Sequence, residues 1–196
     1  MAKTGMLIVA FFTVTALPDS IWAQMRPNDL AVGIGAGWDL PADITQVNLA
    51  SVRLRLSRGI TLEPRVELGY GSQRVDLGPT DSKITTTSLI LTGSARIPLF
   101  QRGKLDFLAV GGAALEYVSV NPSGDNNNAV VTGLSLIWGL SIEYWLSTRW
   151  SVSLDATNPL FNRTKSSNNA DDASTTNTNI GIVFDPDINL MAHLYY

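Results

Sequence analysis

Charged residues stand at alternate positions in two neighbouring segments of the chain. Arg53 and Arg55 lie in the first segment, and Glu63, Arg65 and Glu67 lie in the second. Because alternate residues of a β-strand point to the same face, each group would share one face of its strand. Opposite charges attract across adjacent strands, so this spacing predicts ion pairs that join the strands.

Further charged residues occupy positions of the same kind later in the chain. An arginine facing lipid at the middle of a bilayer costs about 2–4 kcal/mol, so in a membrane-spanning chain these residues belong on an inward face. Buried charges are tolerated when each has a partner. We therefore expect one inward-facing ion-pair network. Its predicted members are Arg53, Arg55, Glu63, Arg65, Glu67, Arg96, Glu116, Glu143 and Asp155.

Strand patterning extends over most of the chain. Eight segments alternate apolar residues with small or polar ones, which is the period-2 pattern of a β-strand. The last segment alternates up to Tyr196 and contains Pro186, which we expect near a membrane boundary or at a bulge. The predicted strands cover residues 30–40, 50–57, 60–71, 85–97, 104–117, 132–146, 149–156 and 180–196.

Short and long connections alternate between these strands. Antiparallel strands joined in this way form an up-and-down sheet with the short turns at one end and the long loops at the other. The last connection is rich in Ser, Thr and Asn and is predicted to be a mobile loop. The short turns are 56–59, 98–103 and 146–149, and the long polar connections are 39–46, 72–83, 119–129 and 157–179.

The amino terminus resembles a secretory signal. Lys3 precedes an apolar run, 6–17, and a polar segment then ends at Ala23. We predict a signal peptide over 1–23 and a single domain over 24–196. Cleavage would place Gln24 at the mature amino terminus, which a mass spectrum of the exported protein would check.

Composition limits the classes of protein that fit. Charged residues make up 16% of the chain and hydrophobic ones 45%, yet no run of about 20 apolar residues could form a membrane-spanning helix. A net charge of −3 argues against a nucleic-acid partner. The chain has no cysteine, so neither a disulfide nor a lipid-anchored cysteine can stabilise or tether it.

The sizes of the side chains indicate which face of the sheet is inside. Large apolar residues occupy one face of the predicted strands, and Gly, Ser, Thr and charged residues occupy the other. An eight-stranded barrel has room inside only for its own side chains, and small residues fit there. The sequence therefore predicts an all-β, eight-stranded antiparallel up-and-down transmembrane β-barrel, not a soluble barrel with an apolar interior.

These features together resemble bacterial outer-membrane β-barrels, specifically the small eight-stranded class of OmpX, OmpA-domain and OmpW-like proteins. The Asp185-Pro186 pair is similar to the last strand of OmpW-like barrels. The resemblance implies residence in the cell outer membrane, contact with its lipid and lipopolysaccharide, and recognition by the barrel-assembly machinery. The implied carboxyl-terminal assembly signal is Ile188, Leu190, Ala192, Leu194 and Tyr196.

Other candidate chemistry is weaker. The stretch GIGAG (33–37) lacks the spacing of a dinucleotide loop and is better explained as small residues facing the lumen. His193 is the single histidine, and a hydrolytic role would need it beside a serine and an acid at a lipid-accessible interface. Asp185, Asp187 and one histidine are too few to predict a metal site. We expect no cofactor, no metal and no catalytic residue.

Three functions remain open. The first is a structural or loop-mediated interaction role with an unknown extracellular partner. The second is a narrow OmpW-like channel for small apolar molecules, which needs a continuous passage. The third is a lipid A-modifying enzyme that uses His193.

Overall fold

The structure is a computed structural model that describes residues 30–40, 47–76, 81–122, 128–168, 173–182, 184 and 186–196. The predicted signal peptide and Asp185 lie outside these residues. No helix in the described ranges is long and apolar enough to cross a membrane. The strands are β1 (Ala31–Leu40), β2 (Leu49–Arg55), β3 (Thr61–Asp76), β4 (Asp81–Arg102), β5 (Leu105–Pro122), β6 (Ala129–Trp145), β7 (Trp150–Asn168), β8 (Ala173–Ile180) and β9 (Asp187–Tyr195).

The strands form one antiparallel sheet that closes on itself. Each strand from β1 to β7 pairs with the next, and β9 pairs with both β7 and β1. Within the described part of the chain, β8 pairs with β7 alone. The predicted all-β antiparallel barrel is confirmed.

The described residues form nine strands where the sequence predicted eight, and the closed ring consists of β1 to β7 and β9. The terminal segment 180–196 is not one strand, because Ile180 ends β8 and β9 begins only at Asp187. The alternation of apolar residues continues across this break between β8 and β9, so the sequence pattern does not reveal the break. Pro186 therefore lies just before β9, where its missing N–H costs no ladder hydrogen bond.

The strands on one side of the barrel extend into the predicted long loops. β3 and β4 continue to Asp76 and from Asp81, and β7 continues to Asn168 before β8 returns beside it. The predicted mobile loop 157–179 is therefore mostly a β-hairpin. Its Thr, Ser and Asn side chains have no apolar face, so the period-2 signal that identifies half-buried strands is missing there.

Prolines inside the strands coincide with irregular pairing. Pro64 lies in a gap in the β2–β3 pairing between Ser51↔Arg65 and Leu54↔Leu62, across which the register is unchanged. Pro98 stands at a register shift in the β4–β5 ladder, and Pro159 stands beside one in the β6–β7 ladder. Because proline has no backbone donor, such interruptions are the places where a strand accepts it.

The two faces of the barrel are arranged as the sequence predicted. Arg53 is completely buried, whereas its neighbour Val52 is 44% exposed. Inward polar residues and outward apolar residues thus alternate along the strands, the reverse of a soluble barrel. Every strand of the closed ring presents exposed apolar side chains, represented by Ile34, Val52, Leu62, Leu91, Leu115, Leu140, Leu154 and Ile188.

Exposed aromatic residues lie near both ends of the apolar band. Tyr144, Trp150 and Tyr196 are near the end with the short turns, and Tyr70 and Tyr117 are near the other end. Along β5, the distance from the Tyr144 level to Tyr117 is roughly 12 residues, or roughly 30 Å along the axis after a strand tilt of about 40°. The aromatic levels therefore fit a band about 25 Å tall.

Glycines of β1 leave room for side chains of β9. Gly33 and Gly35 pair with Tyr195 and His193, whose large side chains are buried in the lumen. A β-carbon built on Gly33 would lie 2.9 Å from the Tyr195 ring, and one built on Gly35 would overlap the His193 ring. The GIGAG stretch is therefore a steric requirement of the closing strand pair.

Replacement of Gly35 by valine should reduce the yield of folded barrel and the free energy of unfolding. Overpacking of a tight site costs about 1–3 kcal/mol, and the buried His193 ring has little freedom to move away. The change would be measured as a lower denaturant midpoint of detergent-folded protein. Gly93→Val is the matched control, because a β-carbon at Gly93 would meet nothing within 4 Å. Equal midpoints for the two variants would contradict this explanation.

Candidate functional site: the barrel lumen

Arg53 of β2 lies at the centre of a buried cluster in the lumen. Its Nε lies 3.1 Å from Glu63 Oε2, and its Nη1 donates a hydrogen bond of 2.9 Å to Glu143 Oε1. Its Nη2 donates a 2.9 Å hydrogen bond to Ser153. The guanidinium group therefore joins β3, β6 and β7 across the barrel, and it has opposite charge on two sides.

Arg96 of β4 forms a second buried centre beside the first. It forms ion pairs with Glu63 and with Asp155, and its Nη1 donates 2.9 Å hydrogen bonds to Asp155 Oδ1 and Ser141 Oγ. Ser141 also donates a 2.6 Å hydrogen bond to Asp155. Glu63 is thus shared by the two arginines. We call Arg53, Glu63, Arg96, Glu143 and Asp155 the lumen cluster.

Towards the short-turn end, a second layer lies against this cluster. Arg55 Nη2 is 3.9 Å from Asp106 Oδ2, and its guanidinium lies 5.2 Å from the centre of the Trp145 ring. Trp145 donates a 3.0 Å hydrogen bond to Asp106 and packs 5.0 Å, centre to centre, from Tyr195. Large rings thus fill the lumen below the cluster.

His193 contacts a serine and an acid, but not in the order that nucleophilic catalysis requires. Ser51 Oγ lies 2.7 Å from His193 Nε2, and Glu63 Oε1 lies 3.5 Å from the same nitrogen. A catalytic histidine uses one ring nitrogen for the nucleophile and the other for the orienting acid. Here Nδ1 has no hydrogen-bond partner in the described part of the chain, and the ring is fully buried. The arrangement favours a structural histidine.

Three predicted members of the network, namely Arg65, Glu67 and Glu116, lie outside both the lumen cluster and the layer of Arg55 and Asp106. Arg65 and Glu67 are half-buried and line a separate cavity towards the long-connection end of the lumen. Glu116 is half-buried and lies within electrostatic range of Glu67. The structure therefore divides the nine predicted residues into the lumen cluster, the Arg55–Asp106 layer and this outer group.

Sequence reasoning missed several residues of the lumen. Asp106, Trp145 and Tyr195 all occupy inward positions of their strands. The period-2 pattern could have located them, because each lies two residues or a multiple of two from a recognised inward residue or glycine. The alternating apolar residues on the outward face of these strands dominate the pattern, so the three inward residues were not predicted. The missed serines that bind the charged groups are Ser51, Ser141, Ser151 and Ser153.

Comparison with known proteins supports the fold. No protein-family model and no curated protein matches the chain. The structure is similar to a major outer membrane protein from Thermus thermophilus, with a TM-score of 0.50 and 13% identity, over 85% of this chain and 98% of that chain. It is also similar to Acinetobacter baumannii CarO2, with a TM-score of 0.44 and 15% identity, over 86% of this chain and 100% of that chain.

The chain has the fold of an outer-membrane β-barrel. The similarity to the Thermus protein establishes this at the level of fold alone, since the identity is low. The predicted resemblance to outer-membrane barrels is therefore confirmed, and the narrower assignment to the OmpX, OmpA-domain or OmpW-like class stays a prediction.

Replacement of Arg96 by methionine should strongly destabilise the barrel. The change leaves Asp155 and Glu63 buried with less compensating charge, and loss of one partner of a buried ion pair typically costs about 3–5 kcal/mol. A urea titration of the detergent-folded protein would measure the shift. Arg163→Met is the control, because Arg163 is an exposed strand residue of β7. A midpoint for the Arg96 variant within error of the control would contradict the role assigned to the cluster.

Proposed function

We propose that the protein is an integral outer-membrane β-barrel whose lumen is closed to through-passage and which acts through its outer surface. The observation that carries this proposal is the inversion of the barrel, with exposed apolar residues on every ring strand and buried arginines inside. A surface of that kind is stable in hydrocarbon and unstable in water. The fold shared with the Thermus outer membrane protein supports the same compartment.

The lumen cluster argues against an axial channel. Arg53, Arg96 and Glu143 have almost no exposed surface, and their hydrogen bonds cross the interior from β2 to β6 and from β4 to β7. A solute passing along the axis would have to separate these pairs, which leaves buried charges without partners. This observation favours a structural or interacting role over the OmpW-like channel. The buried position of His193 likewise favours a role other than a lipid A-modifying enzyme.

The β7–β8 hairpin is the part of the outer surface best suited to interaction. It extends beyond the closed ring, and β8 from Ser174 to Ile180 is exposed along its length. Its Ser, Thr and Asn side chains can both donate and accept hydrogen bonds. We propose this hairpin as the contact surface for an extracellular partner.

Membrane assembly is proposed to use the carboxyl-terminal strand. Ile188 and Tyr196 are exposed on the outward side of β9 or at its end, and the residues between them at alternate positions share that side. The strand closes the ring by pairing with β1 and β7. An assembly machinery that reads this face would do so before closure is complete. The proposed signal remains Ile188, Leu190, Ala192, Leu194 and Tyr196.

Single cysteines should report the orientation of the barrel, because the chain has none of its own. Thr176→Cys in the β7–β8 hairpin should react with a membrane-impermeant maleimide on intact cells. Thr148→Cys, in the short turn between β6 and β7, is the matched control and should react only after detergent lysis. Both threonines are exposed, so access to the reagent decides the outcome.

Two results would contradict the proposed function. Labelling of Thr148→Cys but not Thr176→Cys on intact cells would reverse the orientation and place the hairpin in the periplasm. Stepwise ion conductance of the folded wild-type protein in a planar bilayer would contradict a closed lumen and favour the channel.

A further inference from the structure

A cavity of about 160 Å³ occupies the lumen on the long-connection side of the lumen cluster. Its polar lining includes the carboxylates of Asp39, Glu67 and Asp187 and the guanidinium of Arg65. Glu116 adds a further negative charge within electrostatic range of Glu67. Among the described residues that line the cavity, negative charge therefore exceeds positive charge.

Asn189 gives an independent indication that this cavity takes a ligand. It lines the cavity, its side chain is only 2% exposed, and its Oδ1 has no hydrogen-bond partner among the residues that the structure describes. A buried carbonyl oxygen without a donor is costly, and native structures satisfy nearly all such groups. The cavity thus has an acceptor without a donor at Asn189 as well as an excess of negative charge.

The arrangement of the acidic groups distinguishes between kinds of cation. A bare metal ion needs several oxygen ligands converging on one point at 2.0–2.6 Å, roughly. No group of three acidic or histidine side chains converges in this way within the ranges that the structure describes. A larger cation that carries its own N–H donors can instead contact acceptors spread around the cavity wall.

The apolar part of the lining selects further among organic cations. Ile90, Ala114 and Ile137 lie in the same wall as the carboxylates. Pockets with an apolar lining and a few placed polar groups suit ligands with methylene carbons as well as polar ends. We propose that this cavity binds a small alkyl diammonium ion, with its two ammonium groups held by the cavity carboxylates and Asn189 Oδ1 and its methylene chain against the isoleucines.

The lumen cluster closes the cavity on its short-turn side. The buried ion pairs close the lumen below the cavity, so a ligand enters and leaves from the long-connection side. This inference goes beyond the proposed function. It is tested in detergent solution, so absence of ligand binding would leave the proposed outer-membrane role intact, and a different membrane role would leave the binding result intact.

The test is calorimetric titration of the detergent-folded full chain with 1,4-diaminobutane at low ionic strength. We expect saturable binding, weakened about tenfold or more in Glu67→Gln, because a charge-assisted hydrogen bond is lost. Asn189→Asp, which adds a carboxylate without changing size, should bind more tightly. Lys165→Gln changes the charge by one unit at an exposed residue of β7 and should bind as the wild type does. Heat-modifiable gel migration would establish that each variant is folded.

Neutral and metal probes separate this proposal from its competitors. Butane-1,4-diol has the same length without charge and should not bind. Absence of saturable diamine binding to the folded wild type would overturn the proposal, as would equal affinity of wild type and Glu67→Gln. Saturable binding of calcium chloride with no diamine binding would overturn it in favour of a metal site.

Discussion

Burial of the Arg53 and Arg96 guanidinium groups inside a closed sheet is the constraint on which the rest of the structure depends. An unpaired charge buried there would cost far more free energy than a surface contact contributes. The barrel meets the constraint with Glu63, Glu143 and Asp155, and with serine hydroxyls that bind the remaining donors and acceptors. The cluster therefore joins strands that lie across the ring from each other, β2 with β6 and β4 with β7.

The apolar outer surface follows from the same constraint. With the charges gathered inside, every strand of the ring is left with Leu, Val, Ile and aromatic residues outside. Glycines of β1 then allow Tyr195 and His193 of β9 to reach the interior without separating the two strands. Side-chain volume and charge thus determine which residues can occupy each inward position.

The sequence predicted the closed antiparallel sheet and the inward side of most strands, because half-buried strands alternate with period 2. It failed beyond the membrane band, where the outer parts of β3, β4, β7 and β8 are mostly polar and the alternation disappears. It also failed at residues 180–196, because an alternating pattern can continue across a break in hydrogen bonding. Of the candidate site, the charged residues were predicted from their spacing, but the separation of Arg65 and Glu67 from Arg53 depends on strand register. The β2–β3 register pairs Arg65 with Ser51 and Glu67 with Leu49, away from Arg53, whereas bulges at Pro98 and Pro159 shift only the β4–β5 and β6–β7 ladders.

The sequence separation of the paired charges has a consequence for the order of folding. Arg53 and Glu143 are 90 residues apart, and Arg96 and Asp155 are 59 apart. Early hairpins of the amino-terminal half therefore contain two arginines that share Glu63, while Glu143 and Asp155 are not yet in place. The arginines have all of their acidic partners only when β6 and β7 arrive, so a half-built barrel stays hydrated and open. Completion of the wall and expulsion of water then become a single cooperative event, which discriminates against barrels that close with a strand missing.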